Sequence, residues 1–397
     1  MLNGLNILPS YTGYFNLNDA TTGLNTASVF IGGFLGPMVS GVMADKLGRR
    51  PAIFWGSALT IVGVILQTAA QNIAMFVVAR IILGFGSAIS GIAGGVYLAE
   101  TFPSRWRAWG VGVGALIAAG ITLGTGQWQS TWAWRAPSLF QAIFSLLCIL
   151  TLPFIPESPR WLVRQGFYAE ARLSVAQTNA NGSLSDPVVI AIFKEIVDTF
   201  KWEKENVHDM SAVEIFRSPS ARKRLLIGMS PGPFSCIAGN IIASYYFGSE
   251  LDTAGITNTN DQLKAGFYSI AWTPLLYLYP PEVMNYSIRA NGLAFSSFVL
   301  NAFALVFTFI MPIGLGNIGW KMYMINASWD LVILGLIAYY WVETKGKTLE
   351  EIDALFEGEK HSSVPDIEKL RRGQKAIDTD VVEEQLTAEI DSMSVKQ

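Results

Sequence analysis

The side chains best placed to do chemistry here are charged residues at the ends of long apolar runs. Asp45, Arg49 and Arg50 follow one run, Glu100 and Arg107 lie beyond another, and Glu157 and Arg160 follow a third. Glu282, Arg289 and Glu343 stand at run ends further along. An unpaired arginine or aspartate at mid-bilayer costs roughly 2.5–3.5 kcal/mol, so such groups persist near helix ends, where they can pair. This arrangement predicts an inter-helix salt-bridge network that closes one end of a helical bundle. The plainer alternative is that these charges only set the orientation of the helices. No Ser-His-Asp set, metal-type cysteine spacing or phosphate loop accompanies them. Gly84-Phe-Gly86 and Gly91-Ile-Ala-Gly94-Gly95 lie mid-run in an apolar segment and read as close-packing surfaces. Neither an enzyme nor a bound cofactor is expected.

The elements that must position these charges are transmembrane helices. Of 397 residues, 51% are hydrophobic and 15% charged, whereas soluble domains carry about one quarter charged residues. Runs long enough to span a bilayer, about 20 residues, occur around 27–44, 53–70, 73–98, 111–128 and 138–154. They resume around 225–247, 265–278, 292–315 and 320–342, giving about nine candidate spans. His208 and His361 lie in polar stretches, which removes a histidine proton relay through the bilayer and leaves any coupling to carboxylates. Cys148 and Cys236 sit in apolar runs and form no disulfide framework. The net charge of −3 argues against nucleic acid as a partner. Met1 to Ser10 lacks the features of a cleavable signal peptide.

Lysine and arginine concentrate in alternate loops, so the positive-inside rule places those loops and the C-terminus in the cytoplasm. Four regions are expected. Residues 1–156 form an N-terminal transmembrane half, and 157–223 a cytoplasmic loop with short amphipathic helices near 169–178 and 188–205. Residues 224–342 form a C-terminal transmembrane half, and 343–397 a charged tail expected to be largely disordered. The sequons at Asn181 and Asn285 fall on the cytoplasmic side and read as chance matches.

The charge pattern repeats. Tyr97-Leu-Ala-Glu100 followed by Arg107-Ala-Trp-Gly110 matches Tyr279-Pro-Pro-Glu282 followed by Arg289-Ala-Asn-Gly292 at identical spacing, and Glu157 of Pro156-Glu-Ser is echoed by Glu343 of Val342-Glu-Thr. Such repeated halves characterise secondary transporters, whose substrate site lies between them near the midplane. The repeat also exposes a gap. Gly41-Val-Met-Ala-Asp45-Lys-Leu-Gly48-Arg49-Arg50 lies upstream of Glu100, yet the same offset back from Glu282 falls inside an apolar run near Ile227. Two helices and their connecting basic loop are expected to be missing, with the junction near Gln262–Lys264.

These motifs resemble the sugar porters of the major facilitator superfamily. The loop Gly41–Arg50, Arg80-Ile-Ile-Leu-Gly84-Phe-Gly86, Tyr97–Gly110, Pro156-Glu-Ser-Pro-Arg-Trp-Leu162 and Glu343–Glu350 occur in the family's order. Ala238-Gly-Asn240 with Ser244-Tyr-Tyr246, and Trp272–Val283, resemble the fungal lactose permease-like branch. The resemblance implies an all-α, polytopic transmembrane bundle of two repeated halves, incomplete at about nine of twelve spans. The first span is reduced to its outer end, the fifth is shortened, and the eighth and ninth are absent.

It also implies transport of a disaccharide or hexose by alternating access, with proton symport, in the plasma membrane, and impaired in the chain as it stands. Asn240, Tyr245, Tyr246, Trp272, Tyr277 and Asn301 are the implied sugar-binding residues, offering amides, hydroxyls and aromatic faces. The charges named first are the implied cytoplasmic gate. Two alternatives keep the fold: a sugar sensor signalling through its tail, and a truncated product that does not transport.

Overall fold

The computed structural model of the chain describes residues 9–15, 19–102, 130–206, 218–238, 279–318, 321–344, 347–357, 367–371 and 373–394, with isolated positions between them. All regular secondary structure among these residues is helical. The first half holds α1 (Pro9–Phe15), α2 (Asp19–Leu35), α3 (Pro37–Leu47), α4 (Arg49–Thr68), α5 (Ile73–Thr101) and α6 (Trp132–Thr151). A polar middle follows with α7 (Pro159–Arg164), α8 (Tyr168–Asn179) and α9 (Pro187–Asn206). The second half holds α10 (Pro219–Met229), α11 (Pro231–Ile237), α12 (Tyr286–Ile318) and α13 (Lys321–Tyr340). The tail adds α14 (Leu349–Glu357), α15 (Ile367–Arg371) and α16 (Thr379–Ser394).

Among the described residues, five helical stretches are long and apolar enough to cross a membrane: Gly23–Leu47, Arg49–Thr68, Ile73–Thr101, Trp132–Phe154 and Tyr286–Ile310. Met324–Tyr340 is a shorter apolar helix. The runs expected at 111–128 and 265–278 lie almost wholly or wholly outside the described residues. The run expected at 225–247 is described only to Ala238, and it breaks between α10 and α11. Pro231 and Pro233 have no N–H to donate, so the helical ladder cannot pass through them intact.

Helix α5 is the axis of the first half because its glycines let two neighbours reach its backbone. A β-carbon on Gly84 would lie 2.2 Å from the Val29 carbonyl oxygen of α2, and one on Gly86 would lie 2.7 Å from the Thr60 nitrogen of α4. The contact is reciprocal, since Gly32 and Gly56 would meet the Ile81 oxygen at 2.0 Å and the Ser90 nitrogen at 2.5 Å. Small residues at these crossings supply the van der Waals contact that holds helices together in lipid. Gly94, in the second glycine group, differs: nothing lies within 4 Å of its β-position. Gly84→Val should therefore destabilise the bundle by about 1–3 kcal/mol or more. Thermal unfolding in detergent should show a clear drop for Gly84→Val and none for Gly94→Ala.

The tail departs from the disorder that its composition predicts. Leu386 and Met393 of α16 are buried with Val189, Phe193, Ile196 and Val197 of α9, while Val364, Ile367 and Leu370 pack on Ala191. Ion pairs follow the same seam, Lys194 to Asp198 at 2.8 Å and to Glu389 at 2.9 Å. The physical reason is spacing: Val382, Leu386, Ile390 and Met393 form one apolar stripe on a helix whose other faces are charged. Average composition hides such a stripe.

Candidate functional site

The site begins at a turn. Gly48, between α3 and α4, has φ 102°, a left-handed conformation that side chains disfavour. Helix α4 starts directly after it without a side-chain cap of its own, so its first N–H groups need acceptors. Glu157, distant in sequence, supplies them: its carboxylate accepts from the backbone N–H of Arg49 at 3.2 Å, Arg50 at 3.0 Å and Ser158 at 2.8 Å. Burial raises the Glu157 pKa, while the amides of Ser158 and Arg50 and the Arg49 charge act the other way.

With that helix start fixed, the Arg49 side chain turns inward and is fully buried. Its guanidinium forks onto Glu100, Nε to Oε2 at 3.0 Å and Nη2 to Oε1 at 3.2 Å, a geometry that adds specificity to charge. Asp45 stands 3.5 Å from Arg49 Nη1. Glu100, near the end of α5, also accepts from Ser158 Oγ at 2.6 Å and from Arg289 Nη1 at 3.3 Å. Arg289 belongs to α12, so this contact joins the two halves.

Two further contacts cross in the same layer. Asn291 Nδ2 donates to Asp45 Oδ2 at 3.2 Å, and Arg160 Nε donates to Glu350 Oε1 of α14 at 3.0 Å. Arg160 also donates to the Glu100 carbonyl at 3.0 Å. The Tyr286 ring lies among three guanidinium groups, 5.3 Å from Arg49, 5.9 Å from Arg164 and 6.0 Å from Arg289. Glu350 is buried beside a permanent cation. Burial alone would raise its pKa, but the Arg160 guanidinium holds it below the ordinary carboxylate value.

The stability this pair adds is present above the unfolded glutamate pKa of about 4.3 and is lost as pH falls through the lower folded-state value. The unfolding-temperature difference between the parent chain and Glu350→Gln should stay constant from about pH 8 to about pH 5, and shrink only below about pH 4.

The repeat read from the sequence reappears as hydrogen bonds. Tyr97 OH donates to the Pro156 carbonyl at 2.8 Å, and Tyr279 OH to the Val342 carbonyl at 3.2 Å. Ser158 Oγ donates to Glu100 at 2.6 Å, and Thr344 Oγ1 to Glu282 Oε2 at 2.8 Å.

Of the ten expected gate residues, the structure gathers Asp45, Arg49, Glu100, Glu157, Arg160 and Arg289 in one layer. Arg50 joins through its backbone, Glu282 lies in the second-half counterpart, Glu343 is exposed, and Arg107 lies outside the described residues. Asn240, Tyr245, Tyr246, Trp272 and Tyr277 also lie outside them. Asn301 is described, on α12 where it crosses α2. Its Nδ2 donates to the Ser297 carbonyl at 2.7 Å, and its Oδ1 stands 2.3 Å from the position a Gly33 β-carbon would take. It therefore sits in the seam between the halves.

Sequence reasoning missed Ser158, Tyr286, Asn291 and Glu350. The last had a readable signal: Thr348-Leu-Glu-Glu351 is a capping box, and Thr348 N donates to Glu351 Oε2 at 3.0 Å while Glu351 N donates to Thr348 Oγ1 at 3.2 Å. Arg80 is buried against α2, with Nη1 donating to the Asn25 carbonyl at 2.8 Å and to its Oδ1 at 3.1 Å.

A two-half helical bundle with paired charges at one end defines a transporter fold, and the profile of the sugar (and other) transporter family matches residues 6–264 and 262–356. The chain belongs to that family, within the major facilitator superfamily, and is a multi-pass membrane protein. It is 26% identical to the MFS-type transporter criB of Aspergillus cristatus over 438 residues, covering 91% of each chain. It is 24% identical to the sugar transporter STL1 of Saccharomyces cerevisiae over 415 residues, covering 84% of this chain and 72% of that one. Both alignments are longer than the chain itself, so both open gaps within it. In fold, it superposes on the proton:xylose symporter XylE bound to 6-bromo-6-deoxy-D-glucose with a TM-score of 0.60 at 19% identity, covering 89% of this chain and 96% of that one.

Proposed function

We propose that the protein is built as an alternating-access sugar carrier whose charged layer is the cytoplasmic gate, drawn closed, and that the second half lacks two spans needed for transport. The observation that carries the gate reading is the buried contact of Glu100 with Arg289, which ties one half to the other at the end where basic residues collect. Opening that end requires breaking it, along with Asp45–Asn291 and Arg160–Glu350. Hexoses or disaccharides taken up with protons are the proposed cargo. The relatives named above include a sugar transporter and a proton:xylose symporter, and the Asn240 and Trp272 motifs favour the lactose permease-like branch. The proposed location is the plasma membrane.

Two observations support missing spans. The family profile breaks and restarts at residues 262–264, where the junction is expected from the sequence. The alignments to relatives are longer than the chain, so segments that the relatives have are absent from it.

The test restores the two spans and measures uptake of labelled xylose, glucose, lactose and cellobiose in a transporter-deficient host. Saturable uptake that a collapsed proton gradient abolishes is expected. Failure of every sugar overturns the cargo reading, and uptake indifferent to the gradient overturns symport. A cysteine at Ser183 tests the orientation, which is wrong if an impermeant reagent labels it in intact cells.

A further inference from the structure

We propose a binding site for an anionic phospholipid in the groove between α10–α11 and α13, at the cytoplasmic edge of the second half. The inference rests on the orientation proposed above. The groove has a volume of about 560 Å³, and Leu226, Phe234, Leu336 and Tyr340 form its apolar sides. Its back wall is rigid. Trp341 donates its indole N–H to Ser230 Oγ at 2.9 Å and stacks on Tyr279 with ring centroids 4.6 Å apart and planes 17° apart. Leu226 and Tyr340 are 50% and 53% exposed, so the groove opens sideways, toward the acyl chains of the surrounding bilayer.

The mouth carries positive charge, one of its cations, Lys223, lying 5.8 Å from the Phe356 ring centroid. Arg222 and Lys223 line it, and neither pairs with a carboxylate among the described residues. Arg224 on the same turn is different: it is buried against Asp353, and so is already neutralised. Arg222 and Lys223 also stand near the N-terminus of α10, which has no acidic residue in its first turn and no side-chain cap. Basic groups there add to the positive end of the helix dipole instead of offsetting it. A phosphate at this point would answer all three, while its acyl chain lies along Leu226 and Leu336. Basic pockets between spans at the cytoplasmic surface suit anionic headgroups in this way. A neutral zwitterionic lipid fills the apolar part equally well but leaves the charge uncompensated.

Native mass spectrometry of the purified full chain in mild detergent, titrated with phosphatidylserine, phosphatidylcholine or inorganic phosphate, tests this without reference to transport or orientation. Phosphatidylserine should be retained at least about tenfold better than phosphatidylcholine, and millimolar phosphate should not displace it. Replacing both Arg222→Gln and Lys223→Gln should weaken phosphatidylserine about thirtyfold, at about 1 kcal/mol per basic residue. Leu336→Trp, which fills the apolar part, should weaken both lipids alike. Equal retention of the two lipids by the unaltered chain overturns the proposal whatever the variants do. So does displacement by free phosphate, which would mark a simple anion site, or full retention by the double variant.

Discussion

Cells of a transporter-deficient host that express this chain as it stands should take up no labelled lactose, cellobiose or glucose above the empty-vector level. Alternating access needs both halves to enclose the sugar and to seal against each other. If the second half lacks two spans, as proposed, part of the cavity wall is open to lipid or water. Their absence also removes the polar groups those spans would bring, and a hydroxyl left unpaired in a dry site costs about 1–3 kcal/mol. Packing around Gly33 and Asn301 cannot replace them, since the Asn301 side chain already fills the space against Gly33. The measurement is initial uptake over a range of sugar concentrations, with membrane insertion confirmed in parallel. Saturable uptake would mean that the reduced bundle, or an assembly of it, rebuilds the site, and the proposal of missing spans as a functional loss would fall.

Glu100→Ala should be the most damaging single substitution in the charged layer, with a loss of about 3–5 kcal/mol in stability, because removing one partner strands buried charge. Arg49 and Arg289 both depend on this carboxylate, and Arg49 is fully buried. Ser158 Oγ also loses its acceptor. Glu100→Gln keeps the shape but leaves two guanidinium groups facing a neutral amide, so its loss should approach that of the alanine variant. Arg289→Ala should cost less, since Arg49 still neutralises Glu100. Thermal unfolding of the three purified variants checks the order. Equal melting temperatures for Glu100→Ala and Arg289→Ala would show that the layer does not turn on Glu100.

Much of this was legible in the residues themselves. Apolar runs interrupted by charged turns dictate transmembrane helices, since a backbone in lipid must satisfy its own hydrogen bonds. The identical spacing of Tyr97, Glu100 and Arg107 with Tyr279, Glu282 and Arg289 revealed two halves, because each tyrosine and glutamate meets the same partner in its own half. Tertiary structure decided the rest. That Arg289, held by the Pro281 and Met284 carbonyls of its own half, also reaches Glu100, that Glu157 caps α4 from far along the chain, and that α16 lays its stripe on α9 all depend on where helices cross. Spacing along a chain orders contacts within one helix or between adjoining ones. Contacts between distant helices follow from the close approach that Gly84, Gly86 and Gly33 permit, and only the packed bundle states which side chains then meet.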